Sequence, residues 1–158
     1  MTELQPVAWE AVATELAVMT GGAAKELGWE PKFDRVTANA ELVYAHFPQI
    51  GCVGVLLERA TGRVHVLGSA NPAEAYIWAY YRGFDISGGN RLVITAVHDI
   101  EPTIEILKLA FRAPYVRHEL APRFATPPVT VELHAHGLHS MLRELRETTA
   151  FEFEANPQ

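Results

Sequence analysis

The segment Gly51–Gly68, GCVGVLLERATGRVHVLG, holds two β-branched runs, CVGVLLE and RVHVLG, on either side of RATG. The glycine of RATG can supply the positive φ that a tight reversal needs, so the segment predicts a β-hairpin. Residues 51–57 are apolar on both alternating faces, the pattern of a strand covered on two sides. Residues 63–67 alternate less cleanly and read as nearer an edge.

C-terminal to the hairpin, SANPAEAYIWAYYRGF reads as a helix opened by Ser69 or Asn71, with Pro72 at its first position and Gly83 at its end. RLVITAV is a third strand, apolar on both faces and expected to be central. Pro102 opens another helix, with Ile104, Leu107 and Phe111 on one face and Glu105, Lys108 and Arg112 on the other. Prolines 114, 122, 127 and 128 break up the following connector, leaving room for a short helix around 116–121. VTVELH is the fourth strand: Val129, Val131 and Leu133 point one way, and Thr130, Glu132 and His134 the other, so one face is wet. A last helix, about 138–147, buries Leu138, Met141, Leu142 and Leu145 and leaves Arg143, Glu144, Arg146 and Glu147 in water.

N-terminal to the hairpin the pattern reads as helical. Pro6 suits a first helical position, and Trp9, Val12, Ala13 and Leu16 follow at helical spacing until TGG at 20–22, giving a helix of about 6–19. A short piece reaches Leu27 before Gly28, and Asp34 caps a second long helix in which Val36, Ala40, Val43 and Phe47 share a face up to Pro48. The element order ααββαβαβα argues an α+β or mixed α/β fold, a sheet of about four strands packed against helices. Residues 1–158 are expected to form a single domain, with a helical part at 1–48, a sheet-containing part at 49–150 and a C-terminal tail at 151–158.

Composition narrows the function classes. Thirteen Lys and Arg against nineteen Asp and Glu give a net charge of −6, and the basic residues are scattered, so a stripe along a phosphate backbone is disfavoured. The single Cys52 has no partner for an internal disulfide and lies in an apolar run, as a small buried hydrophobe would. The N-terminus carries acids rather than a basic n-region, and no apolar run approaches the roughly 18 residues of a membrane span. A soluble protein of the reducing cytoplasm is expected.

The chemistry-bearing candidates are few. In ELHAHGLH, Glu132, His134 and His136 would project to one face if the strand ran on past His134, placing two imidazoles for one Zn or Mn ion. His139, or His98 and Asp99 at the end of the third strand, would complete the set if the two strand ends are neighbours. The alternative is a solvated corner, with His139 on the polar face beside Arg143 and Arg146. His98 followed by Asp99 is also the best acid/base candidate, since open α/β folds place sites at strand ends. The His-x-His strand end resembles that of metal-dependent hydrolase barrels, but only about twenty residues follow it, too few for a barrel.

The TG hairpin, the RVHV strand and the Ser-x-Asn entry into a helix are similar to the opening of GIY-YIG nuclease domains, as is the ββαβα order over 51–112. The resemblance implies a nucleic-acid-associated domain lacking the nuclease residues. Val53 and His65 stand where the family carries two tyrosines, Ala75 where it carries an arginine, and Glu105, on a stripe with Lys108 and Arg112, matches its metal-binding glutamate.

In AYIWAYYRGF, Tyr76, Tyr80 and Phe84 share a helix face with Ile77 and Tyr81 beside them, as ordinary core packing would have it. Trp78 instead shares its stripe with Glu74 and Arg82, the residue chemistry of an interface hot spot. No G-x-S-x-G elbow, Walker loop or dinucleotide fingerprint occurs. The leading expectation is a non-catalytic protein without a cofactor, acting through a protein partner or as a homo-oligomer, with Trp78, Arg82 and Glu74 at the contact. A Zn- or Mn-dependent hydrolase built on His134 and His136 is the alternative.

Overall fold

A computed structural model describes residues 2–49, 51–110 and 117–158. The chain is α+β, with two antiparallel sheets in place of one sheet of about four strands. It divides into two compact units, residues 1–73 and 74–158.

In the first unit the Gly51–Gly68 hairpin forms as expected: Cys52–Glu58 (β4) pairs antiparallel with Val64–Gly68 (β5), and Gly62 turns the chain at φ 73°. Three more strands precede it, Gln5–Pro6 (β1), Arg35–Ala38 (β2) and Leu42–His46 (β3), in sheet order β1-β2-β3-β4-β5. The helix expected from Asp34 to Phe47 is therefore a β-hairpin. Asn39 decides it: its side-chain oxygen accepts hydrogen bonds from the backbone N–H groups of Glu41 and Leu42, both at 2.8 Å, which closes a turn in mid-segment. In β3, Leu42, Val43, Tyr44 and Ala45 are all buried, so the strand shows no period-two alternation to separate it from a helix.

The two expected N-terminal helical pieces are one helix, Ala13–Leu27 (α1), entered through a 3-10 turn at Trp9–Val12 and ended by Gly28 at φ 82°. Pro6 belongs to β1, and the Gly21–Gly22 pair does not stop the helix. Gly22 sits where α1 crosses β5, and a Cβ there would lie 3.0 Å from the Cβ of Val64. Packing has overridden propensity at this point. Met19 and Ala23 of α1 meet Val36, Val43, Ala45, Phe47, Val55 and Leu57 in a core of fully or nearly fully buried side chains. Each large one contributes about 1.5–3 kcal/mol by leaving water.

The second unit is built on Asn90–Val97 (β6), the centre of a three-stranded sheet ordered β7-β6-β8. Its neighbours are Val129–Leu133 (β7) and Phe151–Pro157 (β8), both antiparallel to it. The central position is as expected, but the cover is not two-sided: Leu92 and Ile94 are buried while Arg91 and Thr95 are exposed. The expected tail is β8, in which Phe151 and Phe153 are buried and Glu152 and Glu154 exposed. The helices are α2 (Ala73–Tyr81), α3 (Ile100–Leu107), α4 (Arg117–Phe124) and α5 (Ala135–Glu147). Leu138, Met141, Leu142 and Leu145 of α5 are buried as the pattern required. Pro102 lies inside α3 rather than at its start, and Phe111 and Arg112 fall outside the described residues. Among the described residues no helix is long and apolar enough to cross a membrane.

Candidate functional site

Trp78 in α2 is half-buried, and Arg82, the first residue past the helix, is exposed four positions on, as the spacing implied. The Arg82 guanidinium lies 5.9 Å from the Trp78 ring centroid and 4.6 Å from that of Phe153, and one of its nitrogens donates to the Phe153 carbonyl at 3.1 Å. Arg82 is thus committed to β8, a tie between helix and strand that also stacks on two aromatic faces. Trp78 leans on Phe84, whose ring stands 5.9 Å from Phe153. These residues open onto a groove of about 480 Å³ walled by Thr95, by Leu145 and Arg146 at the end of α5, and by Phe151–Glu154. Glu74 is exposed but is not part of the groove wall.

Sequence reasoning missed the α5 and β8 contributions to this groove, because 151–158 read as a tail. The alternation of FEFE was the signal that would have placed β8 beside β6. Arg146 is exposed and makes no ion pair among the described residues, while Arg143 pairs with Glu147 one turn away at 3.7 Å. The groove therefore offers an indole edge in a mostly polar surface, with Leu145, Phe151 and Phe153 buried beneath it, and one uncommitted cation beside the carboxylates of Glu152 and Glu154.

The histidines do not converge. The strand ends at Leu133 and helix α5 begins at Ala135, so His134 is the residue before the helix and His136 lies in its first turn. The shared strand face expected for Glu132, His134 and His136 is not formed. Leu133 pairs with Asn90 at one end of β6, whereas His98 follows Val97 at the other. Eight strand steps, about 26 Å, separate those ends, so His134 and His98 of one chain cannot share an ion. His98 donates from Nε2 to Glu152 at 2.9 Å in an exposed pair, and Asp99 precedes α3 with its backbone oxygen accepting from Thr103 Oγ1 at 2.7 Å. His139 is half-buried rather than on an open polar face; its Nε2 donates to the Ile86 carbonyl at 2.8 Å and its ring stands edge-on to Tyr76. Among the described residues no group of three His, Cys, Asp or Glu stands together to hold a metal ion.

In the first unit, His65 is buried and donates to Glu58 at 2.7 Å, and Glu58 also accepts from Thr61, which fastens the β4–β5 turn. His46 donates to Asp34 at 2.6 Å at the open end of the β2–β3 ladder, and that hydrogen bond holds the Asp34 carboxyl below the usual carboxylate range. Burial pushes the Cys52 thiol up, with the nearby Glu26 carboxylate adding to the effect, so the thiolate a nucleophile requires is disfavoured. The hairpin strands β4 and β5 and the strand β6 belong to different sheets, so the ββαβα sheet implied by the GIY-YIG resemblance is not assembled. No protein-family model, curated protein or solved structure matches this chain.

Proposed function

We propose that the chain is a binding protein of the cytoplasm that works through contact with another protein, without chemistry of its own. The contact is the groove of Trp78, Leu145, Arg146 and Phe151 in the second unit. The observation that supports this reading is the half-buried Trp78 beside an uncommitted Arg146. A half-buried indole offers a rigid contact area at small entropic cost, and the cation and carboxylates around it set orientation and encounter rate. The occupant is a partner's apolar side chain flanked by a carboxylate that reaches Arg146.

The test replaces Trp78 by a photo-crosslinking aromatic residue in the full chain and asks what is captured in cells. One discrete protein adduct, lost on Arg146→Glu, is expected. Adducts that persist unchanged in Arg146→Glu, or a Trp78→Ala chain with undiminished partner recovery and tryptophan solvent exposure, overturn the assignment of this surface.

A further inference from the structure

The large hydrophobic residues exposed among the described residues are Trp9 (41%), Val18 (46%) and Trp29 (40%). They do not form one patch: Trp9 is in the turn that enters α1, on the side of buried Val12, Trp29 follows the Gly28 cap with its ring edge-on to Phe47, and Val18 stands on the outer face of the helix. Val12 of the entry turn and Met19 and Ala23 of α1 are buried in the first unit's core. The opposite stripe carries Ala13, Thr14, Ala17, Val18, Gly21 and Lys25, with Glu10 in the turn before it, every one exposed. A helix that buries one stripe in its own core ordinarily fills the other with charge. Here the charges stand only at the two ends, Glu10 and Lys25, and neither makes an ion pair among the described residues.

Gly21 lies on that face, one turn from its midpoint at Ala17 and Val18. A glycine inside a helix costs about 1 kcal/mol relative to alanine. Its neighbour Gly22 has a reason within the chain, the 3.0 Å approach of Val64, but nothing lies within 4 Å of the place a Gly21 Cβ would take. Close approach of another backbone from outside the chain would use that space.

We propose that α1 docks on α1 of a second copy of this chain, antiparallel, about a two-fold axis between Ala17 and Val18. The charge pattern selects this occupant and this direction. In that register each Glu10 stands across from Lys25 of the partner subunit, at both ends of the contact, while Ala13, Thr14, Ala17 and Gly21 let the helices close to the usual 8–10 Å. A parallel pairing would set Glu10 against Glu10 and Lys25 against Lys25. The helix from Trp9 to Leu27 is about 27 Å long and one helix wide, smaller than a standard interface, so the dimer is weak and reversible. This surface lies in the first unit and is independent of the Trp78 groove, so failure of either reading leaves the other standing.

The test is sedimentation equilibrium of the full chain at low salt, from about 10 µM to about 1 mM, a range that spans weak dissociation constants. A reversible monomer–dimer equilibrium is expected. Ala17→Glu, at an exposed position touching the two-fold axis, should raise the dissociation constant at least about tenfold with an unchanged circular dichroism spectrum. Glu10→Lys and Lys25→Glu should each weaken the dimer, and an equimolar mixture of the two should recover it as a heterodimer. The mixture decides the matter even if Ala17→Glu folds poorly. A chain monomeric at every concentration, a dimer indifferent to Ala17→Glu, or a mixture no tighter than its components overturns the proposal.

Discussion

Gly21 and Gly22 are adjacent in one helix, yet the structure predicts opposite outcomes for the same substitution. Alanine at either position recovers about 0.5–1 kcal/mol of helix propensity. At Gly21 nothing opposes that gain, since no atom lies within 4 Å of the new methyl. At Gly22 the methyl would lie 3.0 Å from both Cβ and Cγ1 of Val64 and 3.1 Å from its Cγ2. Val64 is β-branched and held in β5, so it relieves the contact only by leaving its rotamer or by pushing α1 off the sheet, at a cost of about 1–3 kcal/mol. Gly21→Ala should therefore stabilise the chain by about 0.5–1 kcal/mol, and Gly22→Ala should fall below wild type by up to about 2 kcal/mol. Urea unfolding at micromolar protein, read by circular dichroism, measures both as shifts in midpoint at constant slope. A double-mutant cycle with Val64→Ala should return a coupling of about 1 kcal/mol, because the smaller residue makes room for the methyl. Gly22→Ala as stable as Gly21→Ala, or a coupling indistinguishable from zero, would refute the claim that this glycine sets the distance from helix to sheet.

Other sites give sharper or subtler signals. Gly54 sits at φ 145°, where a Cβ would lie 2.5 Å from the Ala45 carbonyl and 2.6 Å from the Tyr44 ring. Gly54→Ala should cost about 3 kcal/mol or more, lowering the urea midpoint far beyond the Gly22 variant. Asn39→Ala removes the two bonds that close the β2–β3 turn and should cost about 1–2 kcal/mol, with the loss restored in part by Asp, whose carboxylate can accept the same two bonds. Asp34 tests acid stability: its carboxyl is lowered in the folded chain, so its contribution is present above the ordinary carboxylate pKa of about 3.9 and fades as pH falls through the lower folded value. The difference between wild type and Asp34→Asn should be level near neutrality and close below about pH 4; a gap that widens on acidification would contradict the assignment.

Two of the legible elements, β7 and α5, have one wet face, and a third, the β4–β5 hairpin, was legible from its turn. β7 alternates cleanly, α5 has a sharp apolar stripe, and the β4–β5 hairpin announces its turn with a glycine at positive φ. The illegible part was β2–β3, where burial on both sides of β3 erased its period of two, β2 is only four residues long, and Val36, Ala40, Val43 and Phe47 fell at helical spacing by coincidence. Its turn was nonetheless written in Asn39. The Gly21–Gly22 pair misled for a different reason: propensity marks a stop, and only the position of Val64, distant in sequence, shows why the helix runs through. At the candidate site the spacing placed Trp78 and Arg82 together, but the half of the groove from α5 and β8 required knowing that residues 151–157 pair with β6. His134 and His98 fall at opposite ends of β6, which adjacency along the chain does not tell.

Association in place of metal chemistry is the central claim, and native mass spectrometry of the full chain reads both at once. It should give the 17.5 kDa chain and its dimer in concentration-dependent proportion, with neither species carrying stoichiometric zinc or manganese. One such ion per chain, lost on His134→Ala, would contradict it.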